Sequence, residues 1–267
     1  MELPVIVSMP EEGIALVTLN QPELRNPISD ENTVDALVGA LNSCNQDDDV
    51  RCVVLTGAGS AFSAGGNVRD MIHKTGMFAG DANQVRQQYA DVIQRIPLAL
   101  YQMNKPVIAA VNGPAVGAGC DIAMYCDMRI ASDRAFFAES FINVGLIPGD
   151  GGAWILPRII GYARATQMAL TGERISAQKA LEWGMINELT SEHALLPRAI
   201  ELASSIAAKS PQAVRATKQL LRQGLQLDLS AMLQLSAAIQ SGLHQGPEHI
   251  EAVTALLEKR VPVFKGL

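Results

Sequence analysis

Aromatic residues are scarce in this 267-residue chain, with 6 Phe, 4 Tyr and 2 Trp, and cations are outnumbered, 21 Lys plus Arg against 27 Asp plus Glu. A formal charge of −6 with so few rings supplies neither the clustered basic surface nor the stacking platforms that nucleic acid requires. A local basic patch for a phosphorylated ligand remains compatible with it. Only four cysteines occur, Cys44, Cys52, Cys120 and Cys126, without metal-type spacing, so buried thiols in a reducing compartment and no metal site are expected. No apolar run reaches the length of a membrane span, and Met1-Glu2-Leu3-Pro4 has neither the basic start nor the apolar stretch of a signal peptide. A cytoplasmic protein without a membrane partner is the expectation. The rest of the composition, 48% hydrophobic and 18% charged, is that of a folded chain long enough for a sizeable core.

Along the chain, Ile14–Leu19 and Val50–Leu55 have the apolar make-up of strands, each closed by turn residues. Between them Val34, Leu37, Val38 and Leu41 fall at helical spacing behind Ser29, a good N-cap. Residues 72–84 carry no clear period and suggest a mobile loop, after which Tyr89, Val92, Ile93 and Ile96 restore helical spacing. Met128–Ala131 and Ala135–Ala138 suggest short strands. From Ala153 onward Pro and Gly mark off helix after helix, with Ser176, Pro211 and Pro247 as starts and Gly172, Gly184 and Gly224 as stops. An α/β part over residues 1–200 followed by a helical part over 201–267 is expected, with no strands in the second half and no internal repeat.

Two stretches carry chemistry. Val107–Val111 is a five-residue apolar run suited to a strand buried on both faces, and Asn112-Gly113-Pro114 ends it. Gly117-Ala118-Gly119 then leads into a helix-compatible segment with a single carboxylate, Asp121, among apolar neighbours. A strand feeding a helix through small residues leaves free N–H groups that can hold an anion or a developing oxyanion. Upstream, Ser60–Gly66 repeats the pattern after a strand, with Asn67 as a candidate cap. His73, His193, His244 and His249 lie in loop or tail contexts and are expected at the surface.

With these two segments in this order, the chain resembles the crotonase superfamily, the enoyl-CoA hydratase/isomerase family. The similarity runs through Asn20–Asn26, Leu55–Gly66, Lys105–Asp127 and Gly145–Gly152, and returns at Glu258–Lys265. The resemblance implies a spiral of ββα units with a C-terminal helical trimerisation region, a homotrimer or homohexamer, acyl-coenzyme A thioesters as substrates and no further cofactor. It places the oxyanion hole at the backbone N–H groups of Gly66 and Ala118. It also implies an adenine pocket of backbone around Ala64 and Val68, and nucleotide or phosphate contacts from Arg25, Phe264 and Lys265, the last two often from a neighbouring subunit.

The carboxylates depart from the family pattern. Typical hydratases use two Glu twenty positions apart, and here those positions hold Asp121 and Phe141. Asp121 is therefore expected to handle protons alone, which suits double-bond isomerisation better than hydration, with hydration as the alternative and a catalytically impaired CoA-ester or partner-binding protein as the third reading. Two acids could compensate. Glu139 shares the side of Phe141 if the segment is extended, but not if a helix begins there. Asp150 could face the acyl group or simply cap the helix from Ala153. Phe141 and Trp154 are core candidates that could also narrow an acyl pocket.

Overall fold

The computed structural model describes residues 3–264. Strand β1 (Val5–Glu11) pairs antiparallel with β2 (Ile14–Leu19), after which α1 (Glu31–Gln46) crosses to β3 (Cys52–Gly57), parallel to β2. The short α2 (Val68–His73), α3 (Ala82–Asp91) and α4 (Arg95–Gln102) return the chain to β4 (Val107–Val111), parallel to β3. Then follow β5 (Ala115–Val116), α5 (Ala118–Tyr125), β6 (Met128–Ser132), β7 (Phe136–Ala138), a 3-10 turn over Ser140–Val144, α6 (Gly152–Ile160) and α7 (Tyr162–Thr171). The remainder is β8 (Ile175–Ser176), α8 (Ala177–Glu182), β9 (Glu188–Thr190), α9 (Leu195–Ala207), α10 (Pro211–Gln223), α11 (Leu229–His244) and α12 (Pro247–Glu258). One sheet has the order β1-β2-β3-β4-β6-β9 and a smaller one β5-β7-β8.

Every residue of β3 and β4 is buried, as expected of parallel strands covered on both faces. Alternation divides their side chains between two cores. Val53, Leu55, Val107, Ala109 and Val111 join the α1 stripe of Val34, Leu37 and Leu41, while Cys52, Val54, Ile108 and Ala110 pack against α9. That helix presents Leu195, Ala199, Ala203 and Ala207, a row four residues apart whose small side chains let it lie close to the sheet. All four cysteines are buried and unpaired.

Several expectations need correction. The N-cap of α1 is Asp30, whose carboxylate accepts from the Thr33 N–H at 3.1 Å; Ser29 is used elsewhere. Within 72–84 the chain is not a featureless loop, because α3 starts at Ala82 behind a capping box formed by Asp81 and Gln84. Its residues bury nothing fully, so no apolar period reveals it. The helix expected from Tyr89 through Ile96 is two helices, broken at residues 92–94 where Val92 leaves helical geometry. The second half is not strand-free, since β9 forms the edge of the main sheet and β8 that of the smaller one. Position 200 falls inside α9, which belongs to the sheet's second core.

Among the described residues, α11 has no buried residue. The helix before it, α10, is held by charge: Lys218 Nζ lies 2.6 Å from Asp127 Oδ2 and donates to the Lys105 carbonyl at 2.6 Å, and Arg222 reaches Asp127 Oδ1 at 3.0 Å. Asp127 also accepts from the Val107 N–H at 2.8 Å, tying this network to the start of β4. No helix among the described residues is long and apolar enough to cross a membrane.

Candidate active site

The two glycine-rich turns lie side by side. Val116 N–H donates to the Ser63 carbonyl at 3.0 Å and Ser63 N–H to the Pro114 carbonyl at 3.1 Å. Gly65 has φ +78°, and a Cβ there would stand 2.5 Å from the Val116 carbonyl oxygen and 3.0 Å from the Ala118 nitrogen, so only glycine permits this approach. Gly117, with φ +53°, turns the chain into α5 and supplies no side-chain cap. Among the described residues the N–H groups of Gly66 and Ala118 have no acceptor, which leaves two neighbouring donors open at a helix start.

The upstream turn is held by side chains whose bonds across the fold the sequence does not indicate. Buried Asn26 donates to the Ala58 and Ala61 carbonyls, both at 2.9 Å, and its side-chain oxygen accepts from the Gln21 N–H at 2.8 Å. Ser63 Oγ donates to the Asn26 carbonyl at 2.7 Å and accepts from Gly65 N–H at 3.1 Å. Ser29 Oγ accepts from the Asn67 N–H at 2.9 Å, so this residue anchors the loop and does not cap α1. Asn67 caps α2 as expected, through Arg69 N–H at 3.0 Å. Nothing in sequence spacing couples residues 26–29 to 58–67.

Three carboxyl groups gather beside the open N–H pair. Asp121 and Glu139 are fully buried and Asp150 is 4% exposed; both oxygens of the first two, and Oδ1 of Asp150, have no hydrogen-bond partner among the described residues. As carboxylates neither Asp121 nor Glu139 can donate, so a hydrogen bond between them exists only once one is protonated. Burial raises Asp121 well above the usual carboxylate range, and the charges of Glu139 and Asp150 push it further in the same direction. Burial likewise raises Glu139 to about 7, a rise that a hydrogen bond from a protonated Asp121 or from the Cys120 thiol would moderate, and raises Asp150 to about 7. Both shifts run in the direction that favours a proton held between the two carboxyl groups, which titrate as a pair.

The acids reach this place by routes the sequence only half indicates. A 3-10 helix starts straight after Glu139, so the extended-segment reason for placing it near Phe141 fails; burial at the end of β7 brings it to Asp121 instead. Asp150 is not a helix cap, since Gly151 is the N-cap of α6 and no side chain serves there. The half-buried Phe141 ring lies over Gly117, 3.5 Å from where a Cβ would stand.

Beyond the acids opens a cavity of about 450 Å³. Trp154 meets the Tyr101 ring edge-on at 5.4 Å, runs parallel to Tyr125 at 6.4 Å, and has the Arg158 guanidinium 3.9 Å from its ring centroid. Tyr125 donates to the Gly151 carbonyl at 3.1 Å, and burial pushes its phenol up to about 12.

Of the residues assigned to the nucleotide, Arg25 and Ala64 adjoin, Ala64 N–H donating to the Arg25 carbonyl at 2.8 Å, and Val68 is exposed at the start of α2. Phe264 is not brought to them within the chain: its carbonyl accepts from Arg51, just before β3, whereas Ala64 and Val68 follow that strand's other end. Lys265 lies outside the described residues. All four histidines are exposed, and among the described residues no group of three or more His, Cys, Asp or Glu is arranged to hold a metal ion.

Known proteins share this architecture. The 1,2-epoxyphenylacetyl-CoA isomerase of Escherichia coli is 37% identical over 98% of both chains, and the 2,3-dehydroadipyl-CoA hydratase of the same organism is 36% identical over 96% of both. The crystal structure of an enoyl-CoA hydratase from Bacillus anthracis superposes with a TM-score of 0.92 at 34% identity, covering 99% of this chain and 100% of that one. The enoyl-CoA hydratase/isomerase family model matches residues 10–267, and the chain belongs to that family.

Proposed function

We propose that this protein is an acyl-CoA enzyme that moves a double bond, converting a 3-enoyl thioester to its 2-enoyl isomer. The observation that carries this reading is the pairing of two unpartnered buried carboxyl groups, Asp121 and Glu139, beside the open N–H groups of Gly66 and Ala118. The ionised member of the pair takes a proton from C2. The electrons spread onto the thioester oxygen, which the two N–H groups hold as a dienolate. The protonated member then delivers its proton to C4, the double bond settles between C2 and C3, and proton exchange within the pair restores the starting state. Each oxyanion donor contributes about 2.7–4 kcal/mol in comparable sites. Isomerisation needs no bound water, and the Phe141 ring over Gly117 offers a water no hydrogen bond.

Glu139 also favours a second reading, hydration, because two carboxyl groups of opposite protonation state can flank one water. Incubation with a panel of 2- and 3-enoyl-CoAs followed by mass spectrometry and chromatography separates the two. A retention shift without change of mass supports isomerisation, and gain of one water supports hydration. CoA-ester binding without turnover of any member defeats both.

Arg25 and the backbone at Ala64 and Val68 are suited to the nucleotide, with Phe264 and Lys265 contributing across a subunit boundary, and no further cofactor is required. The exposed apolar side chains of Leu229, Leu233, Ile250, Leu256 and Leu257 on α11 and α12 support the trimer or hexamer. Buried, unpaired cysteines are compatible with the cytoplasm.

A further inference from the structure

The cavity beside Asp150 has more room and a different lining than a short acyl chain would use. Its 450 Å³ is about three times the cavity that encloses one benzene in an apolar protein interior. A four-carbon acyl group would leave most of it unfilled. The walls are Leu98, Tyr101, Tyr125 and Trp154, and the indole is fixed by Tyr101 at its edge and Arg158 over its face, so the surface exists before any ligand arrives. Two lining side chains are polar: Gln94, whose Nε2 donates to the Gly149 carbonyl at 2.9 Å, and Asp150, 4% exposed, whose Oδ1 is buried without a partner. Such an oxygen has lost water and gained nothing in return, and a ligand that brings it a hydrogen bond recovers that loss.

The cavity also lies in line with the chemistry. Tyr125 follows Asp121 by one turn on the same face of α5, and the eight residues from Ala118 to Tyr125 span roughly 10 Å of helix. A thioester carbonyl at Ala118 would thus direct the far end of its acyl chain toward Tyr125 and Trp154.

We infer that this cavity receives the distal end of the acyl group, and that the preferred substrates are thioesters ending in a flat ring that carries a hydroxyl, the ring packing on Trp154 and the hydroxyl pairing with Asp150. This rests on the acyl-CoA reading above. A hydroxyl both donates and accepts, so it pairs with the Asp150 carboxyl in either protonation state.

Calorimetric titration with unreactive saturated thioesters tests the assignment without depending on turnover. The probes are butanoyl-CoA, 4-phenylbutanoyl-CoA and 4-(4-hydroxyphenyl)butanoyl-CoA. The phenyl thioester is expected to bind at least about ten-fold more tightly than butanoyl-CoA, from the apolar area the ring buries. The hydroxyl should add about five-fold or more. Trp154→Ala should remove the ring's gain. Leu98→Trp, made at a half-exposed helix position that tolerates bulk, should do the same by filling the cavity. Asp150→Ala should remove the hydroxyl's gain and keep the ring's. Equal affinity for butanoyl and phenylbutanoyl thioesters, or a ring gain that survives both Trp154→Ala and Leu98→Trp, overturns the assignment while leaving the acyl-CoA reading intact. Equal affinity for the two ring thioesters overturns the role of Asp150. If none of the three binds, the acyl-CoA reading itself fails.

Discussion

The Asp121 carboxylate rests against the bare Cα of Gly152, at the start of α6: a Cβ on that residue would stand 2.2 Å from Oδ1 and 2.9 Å from Cγ. The buried carboxyl group of α5 and the first turn of α6 therefore share one volume. Gly152→Ala should keep the fold, because its φ suits alanine, but must turn the carboxylate away. Turnover should fall at least about ten-fold with a smaller change in affinity for CoA esters, measured by steady-state kinetics and titration side by side. Unchanged turnover would mean the Asp121 position is not critical.

Asp121→Asn keeps the shape and removes the ionisable proton. Turnover should fall by about 100-fold or more, the usual contribution of a placed acid–base group, while CoA-ester affinity changes little. Wild-type turnover in this variant would remove Asp121 from the mechanism.

Glu139 links the site to stability. Its folded value of about 7 lies above the 4.5 of an ordinary glutamate, so the folded state binds its proton more tightly than the unfolded chain. Stability is then greatest below pH 4.5 as far as this group is concerned, and declines as pH rises through 7. Integrated over that window the loss is on the order of 3 kcal/mol. Denaturant unfolding between pH 5 and 8 should show a shallower decline in Glu139→Gln than in the native protein. An identical slope would argue that Glu139 titrates normally.

By the family resemblance Phe141 would fall where hydratases carry their second Glu, and its ring covers Gly117. The native protein should hydrate crotonyl-CoA poorly. Phe141→Glu adds a carboxyl next to an existing pair, and like-charge repulsion would keep one member protonated beside a base. Hydratase activity should rise, with some loss of stability from giving up a half-buried ring. Efficient hydration by the native protein that disappears in Glu139→Gln would instead favour the hydratase reading.

Asp127 pairs with both Lys218 and Arg222, at 2.6 and 3.0 Å, and Lys218 is buried. Asp127→Ala would strand both cations and the Val107 N–H, which should cost about 3–5 kcal/mol in denaturant unfolding. The effect should concentrate at α10, whose amides would exchange with solvent sooner than those of β3 and β4.

The residues alone determined those features that depend on neighbours along the chain. The buried run Val107–Val111, the glycines that turn β4 into α5, the lone acid Asp121 among apolar residues, and the prolines that start α10 and α12 each act within a few positions, where periodicity and backbone freedom decide the outcome. Helix α3 was also within reach, because Asp81 and Gln84 form a capping box, although its exposed surface leaves no apolar stripe. What the tertiary structure decided is which polar groups lose water and what they meet. Ser29 and Asp30 are both sound caps by local chemistry, and the choice between them was made by Asn67, thirty-seven residues beyond Asp30, whose N–H the Ser29 hydroxyl satisfies. Asp150 has the local surroundings of a helix cap and instead lies buried beside a cavity. Glu139 is an acid at the end of a strand by sequence; it becomes a buried neighbour of Asp121 because the carbonyl of Ala138, the last residue of β7, accepts from Gly117 N–H at the start of α5, and burial is a property of everything packed around a group, which no window of sequence contains.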